Sequence, residues 1–156
     1  MTDTPVLRPL GALDLDRAAA LHCESFVPFG ERGWTRQDMA ELLGSPGVVG
    51  LLLQIGDTDV GMVICRVLAD ESEIITLAVR PVHRRRGAGR RLLAVAADHV
   101  RAMGARTLFL EVAADNPAAR ALYESAGFRV SGSRPAYFKR GDRPPADAFV
   151  MVLDLD

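Results

Sequence analysis

The sequence predicts a single α/β domain with a mixed sheet, and three observations lead to this prediction. Its 156 residues match one domain of ordinary size. With 49% hydrophobic and 25% charged residues, its composition is typical of a globular protein and excludes a disordered or fibrous chain. Helical and strand-like apolar patterns alternate along the chain, as they do in α/β domains. We therefore expect one domain over residues 1–156.

The N-terminal part of the sequence predicts two helices. Apolar residues at helical spacing from Leu15 to Phe26 indicate the first helix, with Asp14 as its N-cap. A loop with one proline and two glycines follows, from Phe26 to Trp34. Thr35 and Asp38 then have the spacing of a capping box, which predicts the start of the second helix.

Beyond Pro46, β-branched apolar runs predict strands, and helical patterns separate the later ones. The Gly56-Asp57 pair between the first two runs is typical of a hairpin. Residues 134–145 are predicted to form a loop because they contain three prolines and a glycine. The predicted strands are Val48–Ile55, Val60–Leu68, Ile74–Val79, Thr107–Val112, Phe128–Ser133 and Ala148–Leu153, and the predicted helices are Gly89–Met103 and Pro117–Ala126.

Charge, cysteine content and hydropathy predict a cytoplasmic protein without a metal. The net charge of −1 gives no reason to expect direct nucleic-acid or membrane binding. Cys23 and Cys65 lack metal-ligand spacing, so we expect both thiols to be reduced core residues. The first nine residues lack the apolar core of a signal peptide. The longest apolar run, Val48–Ile55, is far shorter than the ~20 residues of a membrane span.

An arginine-rich turn is the most informative local feature. Six of the eighteen arginines fall between Arg80 and Arg91, around Gly87 and Gly89. The turn joins a strand to a helix, so glycine-permitted backbone N–H groups and the helix N-terminus could bind a small anion such as a pyrophosphate. A dinucleotide fingerprint is excluded because Leu92 occupies its third glycine position, and a P-loop is excluded because no lysine is near. A solvated arginine turn that caps the helix is the alternative.

Two blocks of the sequence resemble the GNAT acetyltransferases. Arg84-x-x-Gly87-x-Gly89 is similar to the acetyl-coenzyme A pyrophosphate loop of that family. About thirty residues later, the stretch Leu110–Phe128, with Leu-Glu-Val, Asn116 and Leu-Tyr, resembles a second family signature. The resemblance implies the GNAT-type fold, an α/β domain with a mixed, mostly antiparallel seven-stranded sheet flanked by about four helices.

The resemblance also implies where acetyl-coenzyme A (acetyl-CoA) would bind as the co-substrate. The end of the strand before the loop would pair with the pantetheine arm, and the loop amides would hold the pyrophosphate. Asn116, otherwise a helix cap beside Pro117, and Tyr123 would line the coenzyme. The implied coenzyme-binding residues are Leu77, Ala78, Val79, Arg84, Arg85, Arg86, Gly87, Ala88, Gly89, Arg90, Asn116 and Tyr123.

Within the family, the chain looks most like the ribosomal-protein-alanine N-acetyltransferases of the RimI type. The tail Arg134-x-x-Tyr137-Phe138 is similar to theirs, and implies with Trp34 a groove for an extended peptide end. The alternative is ordinary packing of these aromatic residues under a loop. Gly33-Trp34 stands where that type has Pro-Trp, and residues 139–146 are rich in Pro and Arg. These differences fall in the loops implied to receive the acceptor and leave the donor motifs unchanged.

The catalytic residues that the resemblance implies are Glu111 and Tyr123. Glu111 would be a general base, directly or through a water, because an α-ammonium with a pKa near 7.7–8.0 must lose a proton to react. The alternative is a strand-end carboxylate that holds a backbone amide or an arginine. Tyr123 would protonate the departing thiolate, since phenol and thiol pKa values differ by only ~1.5 units. A backbone N–H near Val79 could polarise the thioester carbonyl.

The expected function is acetyl transfer from acetyl-CoA to the N-terminal alanine amine of a ribosomal protein, directly in a ternary complex. The protein would be a monomer or weak dimer. One alternative is a GNAT enzyme that acetylates a free amino acid, polyamine or antibiotic. Another is a non-catalytic acyl-coenzyme A sensor or toxin-neutralising module, against which the presence of Glu111 and Tyr123 speaks.

Overall fold

A computed structural model describes residues 4–29 and 32–156 of the chain, so Gly30 and Glu31 of the predicted first loop lie outside the described residues. None of the described helices is long and apolar enough to cross a membrane. The helices are α1 (Leu15–Phe26), α2 (Arg36–Leu43), α3 (Ala88–Ala102) and α4 (Pro117–Ser125). The strands are β1 (Pro5–Pro9), β2 (Val48–Ile55), β3 (Thr58–Leu68), β4 (Glu71–Val79), β5 (Thr107–Ala113), β6 (Arg129–Arg140) and β7 (Arg143–Asp154).

The described strands form one seven-stranded sheet in the order β1-β2-β3-β4-β5-β7-β6. All neighbouring pairs are antiparallel except β4 and β5, which run parallel. A parallel pair needs a crossover connection, and α3 supplies it. The mixed, mostly antiparallel sheet with four helices confirms the predicted fold class.

The parallel pair β4–β5 is short. Glu71, Ser72 and Glu73 pair with residues 107–109, and the pairing ends there although β4 continues to Val79 and β5 to Ala113. The two strands therefore separate toward their C-terminal ends. The result is a slit that runs through the sheet beside the end of β4, at the crossover point where ligands of α/β sheets prefer to bind.

Two apolar clusters cover the two faces of the sheet. Helix α3 presents a buried stripe at helical spacing to one face, and α1 and α2 cover the other. The α3 cluster includes Leu53, Val63, Leu92, Leu93, Val100 and Leu108, and the α1–α2 cluster includes Ala18, Leu21, Met39, Leu52, Met62 and Ile64. The slit thus has α3 and α4 on one side of the sheet and α1 and α2 on the other.

The first residues of both N-terminal helices agree with the prediction from the sequence. Thr35 Oγ1 accepts the N–H of Asp38 at 3.0 Å, and the Asp38 carboxylate accepts the N–H of Thr35 at 2.9 Å, so the capping box is confirmed. Asp14 precedes α1 as predicted but makes no side-chain cap. Its carboxylate instead accepts hydrogen bonds from Gly11 and Arg8, which hold the pKa of Asp14 below its usual range.

Two sequence predictions about strands are wrong. Residues 134–145 are not a loop, because β6 and β7 continue into a long hairpin that turns at Gly141 and Asp142. Pro144 and Pro145 are tolerated because β7 extends beyond its last pair with β5, at Ala148, and leaves that edge without a strand partner. The predicted elements also lack β1, whose five residues pair with the edge of β2.

Candidate active site

The end of β4 directs backbone groups toward the slit. The N–H of Arg80 donates to Val60 O on β3 at 2.9 Å. Because N–H and C=O directions alternate along a strand, the groups of Leu77 and Val79 face away from β3 and toward the slit. Ala78 instead faces β3, and its side chain is buried. Of the predicted pantetheine contacts, Leu77 and Val79 therefore present their backbone to the site.

A β-bulge precedes these residues on β4. Ile64 pairs with Thr76 and Cys65 pairs with Ile74, which leaves Ile75 as the extra residue. Bulges re-aim the backbone and are frequent beside active sites. Here the bulge lies at the same end of β4 at which β5 diverges.

The turn before α3 is a cradle of unused N–H groups. Arg85 and Gly87 have left-handed φ angles of 63° and 83°. The next N–H with an acceptor is that of Arg91, which donates to Gly87 O at 3.0 Å. None of the six N–H groups from Arg85 to Arg90 bonds to another described residue. These groups and the N-terminus of α3 favour an anion.

The arginine side chains of the turn divide into two sets. Arg84 Nε donates to Val79 O at 3.1 Å, and Arg90 reaches Ser125 O on α4 at 3.3 Å, so both tie the turn to its neighbours. Partial burial lowers the pKa of Arg84. Arg85 and Arg86 are exposed and make no ion pair with any residue that the structure describes. The first set shapes the cradle, and the second adds positive charge to it.

The two glycines of the turn have different roles. Gly87 needs its left-handed φ, and a Cβ there would meet no described atom within 4 Å. Gly89 lies against α4, where a Cβ would come within 3.0 Å of Leu122 Cδ2. Ala88, between them, is buried. Gly87 thus sets the curvature of the turn, and Gly89 allows α3 and α4 to pack closely.

Helix α4 supplies Asn116 and Tyr123 on the α3 side of the sheet. Asn116 Oδ1 accepts the N–H of Ala119 at 3.1 Å, so the helix-cap prediction for Asn116 is confirmed. Tyr123 packs against the α3 cluster with its ring centroid 6.0 Å from that of Phe128. Burial raises the pKa of Tyr123 to about 12, well above that of an exposed phenol. The hydroxyl therefore stays protonated across the physiological pH range.

Glu111 approaches the slit from the opposite side of the sheet. Leu108, Leu110 and Val112 of β5 face the α3 cluster, so the alternation along the strand directs Glu111 to the α1–α2 face. Its carboxylate is half-buried and paired with Arg134, whose Nε lies 3.2 Å from Oε1. The hydroxyl of Tyr137 donates a hydrogen bond to the same carboxylate, which raises the pKa of Tyr137.

The β6–β7 hairpin positions Arg134, Tyr137 and Phe138. Ala136 has a left-handed φ of 50° within an irregular stretch of β6, and its N–H donates to Asp147 Oδ1 at 2.8 Å. Arg134 lies over the Tyr137 ring at 5.5 Å, and the Phe138 ring meets that of Tyr137 edge-on at 5.1 Å. These contacts place the predicted acceptor residues Tyr137 and Phe138 in one cluster with Glu111.

Trp34 lies on the same face as Glu111. Its ring stacks on His22 at 4.3 Å, and the backbone N–H of Trp34 donates to His22 Nδ1 at 3.1 Å. Burial, reinforced by the charge of Arg32, lowers the pKa of His22 to about 4, so this histidine is neutral and structural. Trp34 also lines an open cavity of about 370 Å³, together with Asp38, Glu41 and Ile75 of the β4 bulge.

The structure thus separates the predicted site residues into two groups. The turn, Asn116 and Tyr123 lie on the α3 side of the slit, whereas Trp34 and the cluster of Glu111 lie on the other. The sequence did not predict that Arg134 pairs with Glu111, or that Asp147 accepts a hydrogen bond from Ala136 beside the predicted site residue Tyr137. The Arg-x-x-Tyr pattern near the C-terminus was the feature of the sequence that pointed to Arg134 as a site residue. For Asp147 no local pattern exists, because it acts across the hairpin.

The chain is similar to one known protein family and to several of its members. The Acetyltransferase (GNAT) family matches residues 15–128. The [ribosomal protein bS18]-alanine N-acetyltransferase of Salmonella typhimurium is 38% identical over 107 residues, which are 69% of this chain and 72% of the relative. Its Escherichia coli counterpart is 41% identical over 92 residues, 59% of this chain and 62% of the relative.

Two further similarities extend over almost the whole chain. The N-alpha-acetyltransferase RimI of Mycobacterium tuberculosis is 34% identical over 98% of this chain and 94% of its own. The crystal structure of the ribosomal-protein-S18-alanine N-acetyltransferase from Escherichia coli superposes with a TM-score of 0.88, at 29% identity, over 98% of this chain and 95% of that one. The chain therefore belongs to the GNAT acetyltransferase family.

Proposed function

We propose that this protein transfers the acetyl group of acetyl-CoA to the N-terminal α-amine, an alanine amine, of a ribosomal protein. The names of the similar proteins support the reaction and the acceptor. The slit between β4 and β5 is the observation that carries the proposal. It joins an anion-binding turn on one face of the sheet to a carboxylate–aromatic cluster on the other, so a donor and an acceptor can meet from opposite sides.

The donor side fits acetyl-CoA. The N–H groups from Arg85 to Arg90 would hold the pyrophosphate, with Arg85 and Arg86 adding charge. The backbone groups of Leu77 and the N–H of Val79 would pair with the amides of the pantetheine arm, while Asn116 and Tyr123 would line it. Acetyl-CoA supplies an acetyl group already activated as a thioester.

The acceptor side fits the end of an extended peptide. Trp34, Tyr137 and Phe138 present aromatic surface on the Glu111 side of the slit, and Tyr137 is exposed. Aromatic side chains provide large contact area for a peptide, and a strand edge can pair with its backbone. The N-terminal amine would then lie beside Glu111.

The proposed chemistry is a direct transfer in a ternary complex. The α-ammonium first loses one proton to solvent, and the neutral nitrogen then attacks the acetyl carbon. A C–N bond forms, the C–S bond breaks, and the nitrogen gives up a second proton to Glu111, directly or through a water. Glu111 then passes its proton to solvent, and Tyr123, which gives a proton to the thiolate, regains one from solvent, so the overall reaction releases one proton. An N–H of Leu77 or Val79 stabilises the developing oxyanion.

A free small amine is the second candidate acceptor. A polyamine or aminoglycoside site should contain clustered acids. The described acceptor segments 32–34 and 134–147 contain two acids, Asp142 and Asp147, and five cations, Arg32, Arg134, Lys139, Arg140 and Arg143. Three of these cations are paired with Asp38, Glu111 and Asp115, so those acids are already balanced. This balance favours an acceptor with a single amine over a polycation.

Thiol release from acetyl-CoA tests the proposed function. The acceptors are a hexapeptide beginning Ala-Arg, the same peptide with a blocked N-terminus, free lysine and spermidine. We expect release with the free-amine peptide alone. Release with a small amine and with neither peptide would overturn the peptide acceptor while leaving the donor site in place.

A Glu111→Gln variant tests the role of the carboxylate. Loss of general-base catalysis typically lowers turnover by about 100-fold or more. We expect such a loss in kcat with an unchanged Kd for acetyl-CoA. Glu71→Gln, on an exposed position at the start of β4, is the matched control and should keep full activity. Unchanged turnover in Glu111→Gln would contradict the general-base role.

The proposal includes the organisation of the protein. We take residues 1–156 as one acetyltransferase domain because the single described sheet uses strands from both ends of the chain. It would act in the cytoplasm, as a monomer or weak dimer, without direct contact to nucleic acid or membrane. Light scattering at several protein concentrations tests the oligomeric state.

A further inference from the structure

The negative charge of the Glu111 carboxylate is already balanced by an arginine before any acceptor binds. Arg134 pairs with it at 3.2 Å, and the hydroxyl of Tyr137 donates to it. Among the described residues, two further carboxylates lie by this cluster: Glu73 on β4, which is paired with Arg66 at 3.6 Å, and Asp147 on β7, which accepts the N–H of Ala136 at 2.8 Å. On β7, Val150 lies opposite Glu111 and carries no charge.

This pairing decides which form of an amine the cluster favours. An ammonium beside Glu111 would leave one positive charge without a counter-charge, because Arg134 already balances the carboxylate. A like charge nearby disfavours the charged form of a titratable group. The neutral amine leaves the cluster balanced and can still donate a hydrogen bond to Glu111.

We propose that Arg134 is a specificity-determining residue that makes the acceptor site bind its amine in the neutral form and thereby select α-amines over lysine side chains. The inference rests on the proposed function and deepens it. An α-amine has a pKa of about 7.7–8.0 and a lysine amine about 10.4, so at neutral pH their neutral fractions differ by a few hundred-fold. A site that admits the neutral form therefore discriminates strongly between the two.

The proton released on binding distinguishes this mechanism from a structural role of Arg134. Calorimetry of the coenzyme A-saturated enzyme with the Ala-Arg hexapeptide, at pH 7 in two buffers of different ionisation enthalpy, counts the protons. At that pH about nine-tenths of the free α-amine is protonated. The wild type should release close to that fraction of a proton per bound peptide.

Three variants separate charge from packing. Arg134→Gln should release less than half of the wild-type value, because Glu111 then forms an ion pair with the ammonium. Arg134→Lys keeps the charge and should match the wild type. Arg129→Gln removes another β6 arginine, one paired with Asp154 at 3.6 Å, and should also match it. Retained acetyl-CoA binding shows that each variant is folded.

Kinetics give a second readout. In Arg134→Gln, the acid limb of kcat, which reports the pKa of the bound amine, should move up by at least about one pH unit, so kcat falls by at least about twofold at pH 7 and recovers by pH 9. Equal proton release in wild type and Arg134→Gln, or no release in wild type, would overturn the inference. Absence of peptide binding to wild type would refute the proposed acceptor instead, and alaninamide, which carries the same α-ammonium, would then replace the peptide in the same comparison.

Discussion

At the scale of residues, the environment of each side chain decides what it can do. Glu111 and Tyr123 belong to the same signature in the sequence, yet they lie on opposite faces of the sheet. Glu111 is paired with an arginine, as the alternative interpretation of the sequence allowed, and Tyr123 packs, partly buried, against the α3 cluster. The sequence predicted the residue types but not these surroundings, because the surroundings come from β6, β7 and α3.

Tyr123→Phe tests the proposed general acid. Removing a proton donor should lower kcat by about 100-fold and leave the Kd for acetyl-CoA unchanged. Because burial raises the pKa of Tyr123 to about 12, the wild-type kcat should not decline between pH 8 and pH 10 through loss of this proton. Steady-state kinetics over that range provide the check. A wild-type decline in kcat that Tyr123→Phe abolishes would contradict the assigned pKa, and full activity of the variant would contradict the role.

His22 predicts a pH dependence of stability. Its pKa is about 4 in the folded protein, mainly because of burial, against about 6.5 when unfolded. The unfolded chain therefore binds the proton more readily, so the free energy of unfolding is highest above pH 6.5 and decreases as the pH falls toward 4. The loss from this residue amounts to about 3 kcal/mol.

Denaturant titrations at several pH values isolate the histidine from the carboxylates. The difference in the free energy of unfolding between wild type and His22→Gln should shrink as the pH falls from 7 to 4, because only the wild type is destabilised by protonation of His22. Parallel stability curves for the two proteins would show that His22 does not titrate in this range.

At the scale of elements, the turn between β4 and α3 combines two left-handed residues with a row of N–H groups that have no acceptor among the described residues. Its pattern was recognisable in the sequence because its two glycines serve local needs, the left-handed φ of Gly87 and the close packing of Gly89 on α4. The left-handed φ of Arg85 was not recognisable, because arginine is not typical of that conformation. The β6–β7 hairpin was not recognisable, because its prolines and glycines are also typical of loops. Its irregular stretch at Ala136 depends on a hydrogen bond that the Ala136 N–H donates to a distant carboxylate, that of Asp147.

Gly87→Ala tests the turn, with Gly104→Ala as its matched control. Both glycines have a left-handed φ, and a Cβ at either would meet no described atom within 4 Å. Each substitution should lower the free energy of unfolding by about 1 kcal/mol through backbone strain. Only Gly87→Ala should also raise the KM for acetyl-CoA, by about tenfold, because its turn holds the pyrophosphate. Equal effects of the two variants on KM would argue against the cradle.

At the scale of the whole molecule, the slit between β4 and β5 organises the proposed function. Donor-side elements α3 and α4 and acceptor-side elements α1, α2 and the β6–β7 hairpin meet at one place where the sheet opens. The sequence predicted most strands and all four helices because their apolar periodicity is local. It did not predict β1, whose short run Pro5–Pro9 becomes a strand only by pairing with β2. It also could not show the extent of the slit, which depends on where the pairing of β4 and β5 ends.

The position of the acetyl group on a single peptide tests the central claim most directly. The peptide carries a free N-terminal alanine and an internal lysine, and is incubated with the protein and acetyl-CoA before tandem mass spectrometry. We predict that the acetyl group is found on the alanine nitrogen and that the lysine stays unmodified. Acetylation of the lysine, or of neither amine while a free small amine is acetylated under the same conditions, would contradict the proposed function.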